Sequence, residues 1–136
     1  MKVVLDTNVF ISGVFSTGPP FEILNLWRHK RVRLVASAEI LDEYRRVGER
    51  LAAKYSGVDV EPFLTLIAVY AELVQAPPIG EPVCEDPTDD KFFACALAAR
   101  AKLIVSGDKH LLKVSGYRGV TVLRPKAFLD RVLAGS

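Results

Sequence analysis

Short unbroken apolar runs alternate along this chain with stretches in which apolar residues recur every three or four positions. Val3-Val4-Leu5, Leu34-Val35-Ala36, Leu103-Ile104-Val105 and Val120-Thr121-Val122-Leu123 are runs of the kind that a parallel sheet buries on both faces. A helix is predicted from Phe21 to His29. Ser37 is placed to cap a second helix, whose Ile40, Tyr44, Val47 and Leu51 fall on one face. A third runs from Pro62 to Val74 and is closed by the proline-rich segment Pro77 to Pro82. An alanine-rich helix is predicted from Pro87 to Arg100, and a last one from Pro125 to Leu133. Ser12 to Pro20 reads as a loop, and Lys54 to Val60, with Ser56-Gly57, as a helix break. Strands alternating with helices predict an α/β fold, a three-layer sandwich around a mostly parallel sheet. The 136 residues fit one domain spanning 1–136.

Composition narrows the class. Half of the residues are apolar, which is rich for a small domain and has two readings: a large core, or a face buried against a second copy in a homodimer or against another partner. The net charge of +2 is too weak to argue for nucleic-acid binding by itself. Cys84 and Cys95 read as reduced core residues, and with His29 and His110 they lack zinc-ligand spacing. The first residues carry an acid inside their apolar segment and no cleavage site, and no apolar stretch is long enough for a membrane span. A cytoplasmic protein with no membrane association is the expectation.

The chemistry lies in the acids. Asp6 follows the first apolar run and Asp108 follows Leu103 to Gly107, so both fall at the carboxyl ends of strands, where parallel sheets bind ligands. Glu43 sits at the edge of a buried helix stripe. In Asp86-Pro87-Thr88-Asp89-Asp90, Asp86 is suited to cap a helix that starts at Pro87, and Asp89 to answer that cap. Asp90 lies on the side of Phe93, Ala94 and Leu97 and is preferred as the functional acid, with Asp89 as the alternative. Carboxylates gathered in one pocket repel one another, and a hard divalent ion, Mg2+ or Mn2+, relieves that repulsion through oxygen ligands. Asn8, two residues after Asp6, is placed to orient a carboxylate or a water, and Ser106 adjoins the last acid.

Together these motifs resemble the PIN domain (PilT N-terminus) family, close to the VapC-type toxins of prokaryotic toxin–antitoxin pairs. Asp6-Thr7-Asn8 resembles the first acidic motif, Ser37 to Glu43 the second, Asp90 to Ala96 the third and Ser106-Gly107-Asp108 the fourth. The resemblance spans nearly the whole chain, and its specificity lies in the order of the four motifs. It implies a metal-dependent ribonuclease that hydrolyses RNA with a metal-activated water, in which Asp6, Asp90 and Asp108 bind the metal and Glu43 completes the site. It also implies a cognate antitoxin as partner. Lys91 and Gly107 depart from the usual pattern.

Other readings stand beside this one. A catalytically idle PIN module would only bind RNA or scaffold a complex. A receiver-like signalling domain also gathers acids around magnesium at strand ends, but its paired acids at the first strand and its central phosphoacceptor are missing. The run Arg28 to Arg33 and the stripe Arg46, Arg50, Lys54 are candidate phosphate contacts, although Asp42 is placed to pair with Arg46 on the helix surface. Trp27 reads as a core residue at helical spacing with Ile23 and Leu24, or as a base-stacking platform.

Overall fold

The computed structural model describes residues 1–55 and 57–135. Five parallel strands form one sheet in the order β3-β2-β1-β4-β5, with β1 at Lys2–Leu5, β2 at Arg33–Ala36, β3 at Glu72–Leu73, β4 at Leu103–Val105 and β5 at Thr121–Leu123. Helices flank it, as expected for the α/β sandwich: α1 (Thr7–Phe15), α2 (Pro19–Arg28), α3 (Ala38–Lys54), α4 (Glu61–Tyr70), α5 (Asp90–Ala99), α6 (Lys109–Lys113) and α7 (Pro125–Ala134).

Position in the sheet explains the strand sequences. β1 and β4 are central and pair Val3 with Leu103, Val4 with Ile104 and Leu5 with Val105, and every one of these residues is buried. The edge strand β5 buries only Val122 and leaves Thr121 and Leu123 partly exposed, so an apolar run marks the centre and alternation marks the edge. Helix α5 lies against β1, β2 and β4, and α1 packs against α2 and α3.

Five elements depart from the sequence pattern. The segment expected as a loop from Ser12 is helical until Phe15, because α1 begins at once after Asp6. Thr7, Val9, Phe10, Ile11 and Gly13 are all buried, and a helix covered on most sides shows no clear amphipathic period. Gly13 is where α2 crosses: a Cβ there would lie 2.7 Å from Leu24 Cδ1 and 2.9 Å from the Pro20 carbonyl oxygen. The helix expected to reach Val74 stops at Tyr70, and the two residues Glu72 and Leu73 add a strand too short for any periodicity. A five-residue helix, α6, which the apolar pattern does not predict, follows Asp108. Pro87–Asp89 is a 3₁₀ turn, so α5 proper starts at Asp90. Helix α3 ends at Lys54, inside the expected break, of which Ser56 lies outside the described residues.

Candidate metal centre

Strand order reverses between β1 and β4, since β2 and β3 extend to one side of β1 and β4 and β5 to the other. The crevice at such a switch point, beyond the carboxyl ends of the strands, is the usual ligand site of an open parallel sheet. Asp6 is the residue at that end of β1. Its backbone N–H donates to the Val105 carbonyl at 2.9 Å, and it is only 6% exposed.

Ser106 ties the two strand ends together. It is fully buried at the end of β4, its Oγ donates to Asp6 Oδ2 at 2.7 Å, and the same oxygen accepts the Asp108 N–H at 2.9 Å. Asp108 caps α6, with Oδ1 accepting the His110 N–H at 2.8 Å. His110 turns away to Glu85, Nδ1 to Oε2 at 2.9 Å. A Cβ at Gly107 would meet nothing within 4 Å, so packing does not demand glycine there.

Glu43 arrives from α3, whose start is fixed by Ser37 Oγ accepting the Ile40 N–H at 3.4 Å. One residue on, the Tyr44 hydroxyl donates to the Leu5 carbonyl at 2.5 Å and its ring stacks on Phe10. That bond fixes the Glu43 turn against the end of β1. Glu43 is held by the Thr7 hydroxyl on Oε2 and by Lys91 Nζ at 2.8 Å from Oε1. Lys91 also donates to the Thr88 carbonyl and lies 5.0 Å from the centre of the Phe92 ring. Neither Thr7 nor Lys91 stood out in the sequence as a partner of Glu43, because the first lies 36 residues from it and the second 48.

The neighbours Asp89 and Asp90 have different surroundings. Asp90, expected to face the crevice, instead accepts the backbone N–H groups of Cys84 at 2.8 Å and Val83 at 3.3 Å. Its carboxylate anchors the preceding segment to the first turn of α5. Asp86 caps as expected, with Oδ1 accepting from Thr88 N–H and Thr88 Oγ1 at 2.9 and 2.7 Å. Asp89, expected to answer that cap, makes no side-chain cap bond. Its carboxyl is pushed up to about 6, first by burial and then by the charges of Asp86, Asp6 and Asp108, with Lys91 opposing. Asp89 therefore shares the field of both strand-end acids. Asn8 is exposed and makes no side-chain hydrogen bond with another described residue, so its side chain does not orient Asp6.

Burial also raises the Asp6 carboxyl above the ordinary carboxylate range, and the charges of Asp108 and Glu43 add to the rise. The Ser106 hydroxyl and the Thr7 N–H oppose it. Asp6 and Asp89 thus hold their protons more readily than ordinary carboxyls, chiefly through burial and then through the neighbouring acids. Among the described residues, no three His, Cys, Asp or Glu side chains are grouped closely enough to hold an ion by themselves. The donors at the crevice are carboxylate and hydroxyl oxygens. An all-oxygen set that leaves much of the coordination to water fits Mg2+ or Mn2+, and does not fit zinc. Cys84 and Cys95 are free and buried, with thiols pushed up to about 12 chiefly by burial, and are inert at neutral pH.

The chain belongs to the PIN domain family, whose family model matches residues 2–110. Its likeness extends to the uncharacterized protein MJ1680 of Methanocaldococcus jannaschii, which is 33% identical over 119 residues covering 84% of this chain and 75% of that protein. Among solved structures, the VapBC2 complex of Rickettsia felis bound to a DNA fragment from its promoter contains a chain that aligns with a TM-score of 0.59 and 13% identity. That alignment covers 91% of this chain and 98% of the other, and at such low identity it speaks for the shared fold.

Proposed function

We propose that the chain is a divalent-metal-dependent endoribonuclease that hydrolyses RNA phosphodiester bonds in the cytoplasm, as the toxin of a toxin–antitoxin pair. The observation that carries this reading is the buried Asp6, joined through Ser106 to Asp108 and lying within the field of Asp89 and Glu43. Asp6, Asp89 and Asp108 would hold the ion, Asp89 taking the place that the sequence pattern gave to Asp90. When bound, a divalent ion supplies the charge that makes a water nucleophilic at neutral pH and offsets the charge gathering on the phosphate.

The chain's own residues set the conditions for that chemistry. Ser106 fixes the Asp6 carboxylate and the backbone of Asp108 in one hydrogen-bonded unit. Glu43, held between Thr7 and Lys91, stands beside the crevice as the acceptor for a water proton. Asp90 is a positioning residue that fixes the turn carrying Asp89. The antitoxin partner follows from the family resemblance, because VapC-type toxins work in such pairs.

The test uses a fluorogenic single-stranded RNA with purified chain in Mg2+ or Mn2+, against the same chain in EDTA and against Asp6→Asn. Cleavage that needs the ion and is lost in Asp6→Asn is the expected result. Folded wild-type chain that cleaves no RNA in either metal, or cleavage that survives in a folded Asp6→Asn protein, overturns the assignment. The first of these outcomes leaves the idle RNA-binding module.

A further inference from the structure

The sheet has a second opening at its other end. A groove of about 860 Å³ lies beside the amino-terminal ends of β2 and β3, between the ends of α2 and α4. Its floor is apolar, with Leu34 and Trp27 buried there, and Tyr70 stands at its edge 71% exposed. Arg28, Lys30 and Arg33 also line it. None of these three cations makes an ion pair or a side-chain hydrogen bond with another described residue. The carboxylate lining the groove, Glu72, is already neutralised by Lys2 at 3.1 Å.

Lys30 holds a backbone conformation that lysine does not favour. Its φ is 62°, in the left-handed region. The turn closes α2 with the Lys30 N–H on the Trp27 carbonyl at 2.9 Å and the Arg31 N–H on the Leu26 carbonyl at 2.8 Å, a helix ending in which glycine usually takes this position. A cation is thus kept at the groove where glycine would be less strained.

We propose that this groove binds single-stranded RNA at a distance from the acid crevice, with Arg28, Lys30 and Arg33 on phosphates and a base against Tyr70. Cations without internal partners, an exposed aromatic ring and an apolar floor are the parts from which sequence-tolerant single-strand sites are built. The choice of RNA over another polyanion rests on the nuclease reading of the crevice. Trp27 is a core residue, as its spacing indicated, and forms part of the groove's apolar floor.

The experiment separates the two readings. Anisotropy with a labelled dodecamer oligoribonucleotide is measured on the Asp6→Asn protein in EDTA, so that binding is read without cleavage. Adding Arg28→Ala with Arg33→Ala is expected to weaken binding and to reduce the slope of log K against log salt by about 1.4, since each phosphate contact with a single strand contributes about 0.7. Lys30→Gly is expected to weaken binding while Tm holds or rises, an outcome that loss of folding does not produce. Unaltered affinity and slope in the arginine variant overturn the groove, whether or not the wild type cleaves. Displacement of the RNA by poly-glutamate at equal charge, or a change of oligomeric state in Tyr70→Ala with RNA affinity intact, also overturns it in favour of an acidic peptide or a second copy. Wild-type chain that binds through the groove but cleaves nothing in Mg2+ or Mn2+ retains the groove and removes the nuclease.

Discussion

The two ends of the sheet carry opposite charge in opposite states of hydration. At the carboxyl end of β1 the buried Asp6, and beside it the half-buried Asp89, are pushed toward their protonated forms by burial and by neighbouring acids. At the amino-terminal ends of β2 and β3, cations stand at an open groove and need no internal partner. A buried charge without a counter-charge is expensive, whereas an exposed one is solvated at little cost. Under the proposed function the acid crevice receives a cation, and Asp6 and the Asp108 backbone are fixed there by the strand ends and by Ser106. The basic groove can be altered with little effect on folding.

The contrast is broken most severely at Asp6. Asp6→Asn is expected to lower metal-dependent cleavage by about a thousandfold, since charge stabilisation by a bound ion is worth several kcal/mol, and to leave Tm in EDTA equal or higher because a buried charge has been removed. Single-turnover kinetics and thermal melts of one preparation check both halves. Next comes the pair in α5. Asp89→Asn is expected to lower cleavage by about a hundredfold with Tm retained, whereas Asp90→Ala leaves the Val83 and Cys84 N–H groups without their acceptor and costs about 2 kcal/mol of stability. Urea titrations separate the two, and the reverse pattern would return Asp90 to the crevice.

A smaller effect is expected from Lys91→Met, which leaves Glu43 with only the Thr7 hydroxyl. Cleavage is expected to fall about tenfold, as for residues that orient catalytic or metal-binding groups. Single-turnover kinetics of the folded variant against wild type read it.

The smallest effect is on stability against pH. The folded Asp89 carboxyl holds its proton up to about 6 against an ordinary value of 3.8, so between these values the native chain binds more protons than the unfolded one, and stability in EDTA falls as pH rises through that window. Millimolar Mg2+ or Mn2+ is expected to flatten this fall and to raise Tm above it, because an ion that binds only the folded crevice stabilises the ionised form. Melts from pH 4 to pH 7 with and without metal test this, and identical curves would count against a shared cation site.

Much of this was legible in the residues. Strand and helix alternation was carried by β1, β2 and β4, whose apolar runs are set by burial on both faces, by the half-buried edge strand β5, and by α3, whose amphipathic face and Ser37 cap agree. Asp6, Asp108 and Ser106 follow strands and inherit fixed positions from them, so their convergence could be expected from order alone. The rest was hidden for identifiable reasons. Helix α1 is buried on most sides and shows no clear period, and β3 has two residues. Asp89 and Asp90 differ by about 100° on a helix, so a turn that begins as 3₁₀ and continues as α decides which of them takes the Val83 and Cys84 N–H groups. The basic run at Arg28 to Arg33 could be seen, but not that it lines a groove with Tyr70.

The amino-acid order by itself determined that this chain forms a parallel α/β sheet and that Asp6 and Asp108 stand at its carboxyl ends, because strand burial and turn position are local consequences of the pattern. Only the tertiary structure decided that Lys91 and Thr7 hold Glu43, that Asp90 anchors the Val83–Cys84 backbone while Asp89 shares the field of Asp6 and Asp108, and that three cations without a partner among the described residues line one groove. The Glu43 contacts and the groove join segments distant in the chain, the Asp90 contact joins a helix to an irregular loop just before it, and no local periodicity specifies any of these partners.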